Sequence, residues 1–250
     1  MVDIISQAEE HAHLGGRSRE SHVVTQFVQR ARVILKAEGV TGLCKRIKGR
    51  LRRKPLHLCG YIVALRLDCP IRVPPPAIDV EIDEVEATDE DALEVLTQID
   101  EWRSPKTHLL NRLQQGHRFY AVRYKGQIVG GLWCQDTEFD SDYLRRKFQL
   151  AVDEIYFYNA FVTPAFRGKG IVPYLVAECA RRIKAHSPYI MRIVALIYVT
   201  NKASLRAAAK VGATRIGRVG FIELFGIRLH YILGRDALPA TRRRFFFERV

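Results

Sequence analysis

The sequence predicts an α/β protein built on one mixed sheet. Three observations carry this. Between residues 80 and 233, segments of helical period alternate with segments of strand period. Two pairs of strand-like runs meet at glycine turns, Lys125-Gly126 and Gly226, as β-hairpins do. Helical segments also separate the long strand at 154–162 from the apolar strand at 193–200, so hairpins alone do not build the sheet.

The elements follow in order. Val24, Phe27, Val28, Ala31 and Leu35 form an amphipathic helical stripe, broken at Gly39. Thr41 caps a second helix, with Leu43, Cys44, Ile47 and Leu51 on one face and Pro55 as its stop. Tyr61, Val63, Leu65 and Leu67 alternate like a half-buried strand. Pro74, Pro75 and Pro76 make a stiff break, and an acidic run follows from Asp79. Val80, Ile82 and Val85 mark a strand, after which Thr88 caps a helix with Asp91 at its third position. Ser104-Pro105 opens the next helix, which Gly116 ends. The hairpin at 119–134 comes next, then the strand at 154–162. A helix over 171–185, the strand at 193–200, a helix over 202–211 and a hairpin over 216–233 complete the order βααβββαβαββ.

This divides the chain into a basic, mainly helical extension over 1–75, a main domain over 78–235 and a basic aromatic tail over 236–250. The 250 residues carry 40 Lys plus Arg against 27 Asp plus Glu, a formal charge of +13. Seven of the cations (Lys45, Arg46, Lys48, Arg50, Arg52, Arg53 and Lys54) crowd the second helix of the extension. They suit an anionic surface, a solvated helix face, or contact with a membrane while the apolar face docks on the main domain. Nucleic acid is disfavoured, because zinc-finger spacing, an RNP run and heptads are missing. The composition, 48% hydrophobic, excludes wholesale disorder. No run is long enough for a membrane helix, and the acidic start at Asp3, Glu9 and Glu10 argues against a secretory leader. Five scattered cysteines without paired spacing point to reduced thiols and no zinc, hence a cytoplasmic, or peripherally membrane-bound, protein.

The segment Val162-Thr-Pro-Ala-Phe-Arg-Gly-Lys-Gly-Ile171 carries the most chemistry. A strand runs into a basic glycine loop that opens a helix. Main-chain N–H groups at a helix start converge, the helix dipole favours negative charge, and glycine lets the chain approach a phosphate. Arg167 and Lys169 add cations. The loop lacks the Gly-Lys-Ser/Thr of a P-loop and the three glycines of a dinucleotide fingerprint.

With Asn201-Lys-Ala-Ser204 and Lys210-x-Gly212 downstream, and the hairpin at 120–131 upstream, this segment resembles the GNAT N-acyltransferase superfamily over about residues 78–235. The resemblance implies a mixed, mostly antiparallel sheet flanked by helices, with acetyl-CoA as cosubstrate. The backbone of Arg167, Gly168, Lys169, Gly170, Ile171 and Val172 would hold the CoA diphosphate. Phe161 and Val162 would pair with the pantetheine arm in a splay between the strands at 154–162 and 193–200. Asn201 and Ser204 would line the thioester side, Asn201 doubling as a helix cap. Two usual residues of the family are replaced: Tyr156 stands where many relatives keep a Glu base, and Ala208 where they keep a Tyr acid.

An amine nucleophile must lose a proton, whereas the departing thiol, with a pKa of about 8.5, needs little help. Glu154 and Tyr158 lie on one strand face and are the candidate base and acid. The alternative is a solvated strand start and core aromatics. Asn159 reaches that face only through a bulge. His108 and His117, Trp133 and Cys134 are further cleft candidates. The long connection 136–153 suits a cationic acceptor or forms a surface helix. The expected function is transfer of an acetyl group from acetyl-CoA to a primary amine. The sequence 201–206 with 215–217 and 224–226 is similar to members that handle amino sugars or lipid-linked amines. Longer acyl transfer from CoA or acyl carrier protein, a CoA-binding module without turnover, and a homodimer all stay open.

Overall fold

The computed structural model describes residues 36, 56–99, 104–141, 144, 146–224, 227–234 and 245–249. The two helices expected in the extension, and its basic cluster, lie outside the described residues. The chain divides into a larger unit, 60–218 with 233–242, and a smaller one, 1–59, 219–232 and 243–250.

In the larger unit, six strands of the main sheet run in the order β1-β8-β7-β4-β3-β2. These are β1 (Leu56–Arg66), β2 (Glu81–Val85), β3 (Arg118–Tyr124), β4 (Gln127–Gln135), β7 (Glu154–Val162) and β8 (Arg192–Tyr198). Every pairing is antiparallel except β7 with β8, which is parallel. The expected alternation at Tyr61–Leu67 is a strand paired along β8 from Gly60↔Tyr198 to Arg66↔Arg192. The boundary drawn at 75 therefore falls too late, because a strand of this sheet precedes it.

Helices cover both faces. On one, α1 (Glu90–Ile99) and α2 (Lys106–Gln114) bury Leu93, Leu96 and Leu109 with Phe119, Trp133 and Phe161. On the other, α3 (Ile171–His186) and α4 (Lys202–Lys210) lie after β7 and β8. Leu175, Cys179 and Ile183 of α3 pack there with Leu132, Phe157 and Ile193. Period-2 alternation along β4 sends Leu132 and Cys134 to this second core and Trp133 to the first. Two caps differ from expectation. Asp89 rather than Thr88 accepts the N–H of Ala92, at 3.0 Å, and Pro105 is the cap of α2 rather than its first residue. The connection 136–153, for which a surface helix was one of two readings, holds a small hairpin, β5 (Glu138–Ser141) with β6 (Arg146–Gln149).

Gly131 shows how tightly the first core closes on the sheet. A Cβ there would lie 2.1 Å from the Phe119 ring. Gly131→Val is expected to destabilise the fold by about 1–3 kcal/mol through overpacking, read as a lower denaturant midpoint with an unchanged slope.

In the smaller unit, β10 (Ile227–Leu233) pairs antiparallel with β11 (Phe245–Arg249) and borders β9 (Thr214–Leu224) on its other side. The end of the expected tail is thus a strand. Arg228, almost fully buried, donates to Glu223 at 2.8 Å and lies 4.3 Å over the Phe221 ring.

Candidate active site

The site begins at an interruption in the sheet of the larger unit. β7 pairs with β8 only at Glu154↔Arg192, Ile155↔Ile193 and Tyr156↔Val194. Beyond Tyr156 the two strands part. β7 stays on β4, but its register jumps from Trp133↔Tyr158 to Gly131↔Phe161, so Asn159 and Ala160 together oppose Leu132. This is a bulge, and Asn159 takes φ 49°. A bulge bends its strand and leaves main-chain groups unpaired. It turns Asn159 into the cleft, as the sequence required.

Two cavities meet there. One, of about 260 Å³, lies behind the splay and is mostly apolar, lined at its polar end by Tyr158, Asn159, Tyr198, Asn201 and Ser204. The other, of about 490 Å³, is lined by Phe161, Val162, Arg167, Gly168, Gly170 and Ile171, among others. Ala160, Val172, Asn201, Ser204 and Ala207 belong to both walls.

Local chemistry explains the loop. Pro164–Phe166 forms a single 3-10 turn, and Gly168 and Gly170 take φ 79° and 77°, where side chains are strained. Gly170 caps α3 without a side-chain bond. Among the described residues, the N–H groups of Gly168, Lys169, Gly170, Ile171 and Val172 make no backbone hydrogen bond, as expected just before and at a helix start. Arg167 Nε is committed to the Val162 carbonyl at 3.0 Å, latching the loop to the end of β7. The proline run is a brace as well as a break: Ala77 N–H donates to the Lys169 carbonyl at 2.8 Å. Lys169 departs from expectation. Its side chain does not line the cavity and holds its ammonium 5.8 Å over the Phe166 ring. Arg206 and Lys210 of α4 supply cations to the wall instead. Their signal was present in Lys202-x-x-x-Arg206-x-x-x-Lys210, one helix face at i, i+4, i+8. Asn201 caps α4, accepting the Ser204 N–H at 3.0 Å, while lining both cavities.

The two catalytic candidates separate. Glu154 is fully buried, pairs with Arg192 across the β7/β8 ladder and accepts the Ala151 N–H at 2.8 Å. It lines neither cavity. The physical reason is that the strands are still paired at its level, so no cleft reaches it. Glu154→Ala is expected to lower stability by about 3 kcal/mol, by stranding the Arg192 charge, while acetyl-CoA affinity is retained. Thermal unfolding with and without the ligand measures both.

Tyr158 sits at the splay, in the wall of the apolar cavity. Its hydroxyl lies 2.5 Å from Nδ1 of His117, just before β3. Burial raises the Tyr158 phenol above its ordinary value. Burial, with the Arg112 guanidinium adding to it, lowers His117 below the ordinary imidazole value, and Asp136 opposes this only in part. Arg112 of α2 was not singled out by the sequence. Its guanidinium stands 5.3 Å from the Trp133 ring and 5.8 Å from the Tyr158 ring, with one Nη buried and without a hydrogen-bond partner. Its signal is spacing: it follows buried Leu109 by three residues and so shares that helix face. His108 is exposed and apart from this cluster. Cys134 is buried with its thiol pushed up to about 12, which makes it inert. Among the described residues, no three His, Cys, Asp or Glu gather as metal ligands, and no helix is long and apolar enough to cross a membrane.

The sheet thus opens between two strands, with a donor-rich loop and a helix start at its mouth. The chain belongs to the acetyltransferase (GNAT) family, whose sequence model matches residues 82–213. The family uses acetyl-CoA. No curated protein matches the sequence. Among solved structures, a GCN5-related N-acetyltransferase from Sphaerobacter thermophilus shares the fold at 14% identity and a TM-score of 0.50, over 72% of this chain and 55% of that one. A GNAT acetyltransferase from Colwellia psychrerythraea follows at 16% identity and 0.47, over 67% and 56%. A glucosamine N-acetyltransferase region of a fungal multidomain β-N-acetylglucosaminidase stands at 14% and 0.49, over 71% and 22%. The chain spans little more than half the length of the first two.

Proposed function

We propose that this protein is an acyl-CoA-dependent N-acyltransferase, with acetyl-CoA as its basic donor and a primary amine as acceptor. One observation carries this: Gly168, Gly170, Ile171 and Val172, whose N–H groups make no backbone hydrogen bond among the described residues, line a cavity that shares its wall with the one behind the β7/β8 splay. Those donors, with Arg206 and Lys210 near by, suit a diphosphate. The stretch of β7 that has parted from β8 beyond Tyr156, Phe161 and Val162 included, suits a pantetheine arm lying alongside it, as an added strand would. Asn201 and Ser204 face the thioester end.

Tyr158 and His117 supply the proton chemistry in place of Glu154. The amine nitrogen attacks the thioester carbon and the carbon–sulfur bond breaks. The proton leaving nitrogen passes to the Tyr158 oxygen while the Tyr158 proton passes to Nδ1 of His117, which is neutral because its pKa is depressed. The thiolate, with a pKa of about 8.5, takes its proton from solvent. A main-chain N–H at the bulge meets the oxyanion. The acceptor is an amino sugar or a lipid-linked amine, and the protein works in the cytoplasm or at its membrane face.

A CoA-binding module without turnover is the second reading, favoured by Ala208 and the buried Tyr156 where an acid and a base are usual. A thermal shift on adding acetyl-CoA, followed by CoA release with a panel of amino sugars and simple amines, separates the two. Stabilisation of about 2.7 kcal/mol is expected at a hundredfold excess over the dissociation constant. Stabilisation with no release from any amine selects the module, and neither effect refutes both.

A further inference from the structure

The apolar cavity behind the splay runs further than an acetyl group needs. Its polar residues stand at the splay end, while its far wall is hydrocarbon throughout. Val63 and Leu65 of β1 lie in register with Ala195 and Ile193 of β8, so the four form one apolar patch of the sheet. Val176 of α3 and Val211 and Ala213, just past α4, close it from the helix side. Leu65, Ile193 and Val211 are members of the hydrophobic core cluster, so the cavity penetrates the core itself.

Core voids of this kind are costly and stay dry when their walls are apolar. A void of roughly 150 Å³ holds a benzene ring. This one has about 260 Å³, which the end of a pantetheine arm fills only in part. An acetyl group adds one methyl beyond the carbonyl and leaves the deep end empty. Small side chains at Ala195, Ala208 and Ala213 keep that end open where Leu or Val would close it.

We infer that the donor range extends to acyl-CoA thioesters with straight saturated chains of about four to eight carbons, whose methylenes fill this void. The inference rests on the proposed acyl-CoA reading and names the donor class more narrowly.

The test needs no acceptor. The full chain is titrated calorimetrically with CoA, acetyl-CoA, butyryl-CoA and hexanoyl-CoA. Each methylene entering the void tightens binding by up to about fourfold, so hexanoyl-CoA is expected to bind at least about tenfold tighter than acetyl-CoA. Ala195→Leu and, separately, Ala213→Leu fill the deep end and should bring the hexanoyl-CoA to CoA affinity ratio down toward one. If acetyl-CoA binds and hexanoyl-CoA binds no tighter, the chain pocket is refuted and the acyl-CoA reading survives. A wild-type gain that both variants keep in full refutes the assignment to this cavity. If CoA and all its thioesters fail to bind, the inference and the reading beneath it fall together.

Discussion

Gly170→Asp is expected to weaken acetyl-CoA binding by at least about a hundredfold while the protein stays folded. Two effects add. The residue has φ 77°, so any side chain there carries backbone strain of roughly 1 kcal/mol. A Cβ meets only Pro75 and Pro76 backbone at 3.6 Å, ordinary contact, so the loop does not have to move. The larger effect is electrostatic. A carboxylate would stand among the N–H donors proposed to hold a diphosphate, and like charges about 4 Å apart cost about 1–4 kcal/mol at partly exposed sites. Gly170→Ala carries the strain without the charge and should lose tenfold or less, by the same figure of about 1 kcal/mol. Titration of both variants separates the terms. Equal, small losses would mean that no anion binds at this helix start.

Tyr158→Phe and His117→Gln should each lower kcat by about 10²- to 10⁴-fold, with acetyl-CoA affinity far less affected. The pH profile discriminates further. Only neutral His117 can take the Tyr158 proton. Its folded pKa lies below the ordinary 6.5, so the neutral form prevails at pH 7 and the rate falls only as pH drops below about 6.5. His117→Gln should remove that acid limb. Arg112→Met, which takes away the neighbouring cation, should move the limb upward, because Arg112 is one cause of the depression. A profile that ignores all three substitutions would leave the pair a structural hydrogen bond.

Much of this architecture was legible in the chain. β7 was predicted at 154–162 and found over the same residues, because nine aromatic and β-branched-rich positions leave little choice. The glycine loop before α3 was legible because local features define it: two glycines, a proline turn and a helix start. The charge partners were not. Arg167, read as an anion ligand, spends Nε on Val162, while Arg206 and Lys210 come from a helix more than thirty residues on. Glu154 misled for a related reason. Alternation put it on the face of Tyr158, but alternation does not say where two strands part. The β7/β8 ladder ends at Tyr156, leaving Glu154 inside a paired sheet beside Arg192 and Tyr158 outside it. The Tyr158–His117 contact joins residues 41 apart in sequence, and the Asn159 bulge beside it is a backbone event with no distinct side-chain signature.

Backbone amide shifts of the full-length protein, followed during a titration with CoA, test the central claim most directly. The account predicts saturable, concerted shifts at Gly168, Lys169, Gly170, Ile171 and Val172, joined by Tyr158 to Val162 along β7. Pantetheine, which lacks the diphosphate, should move the second group and spare the first. Saturating CoA that leaves residues 168–172 unmoved would contradict it.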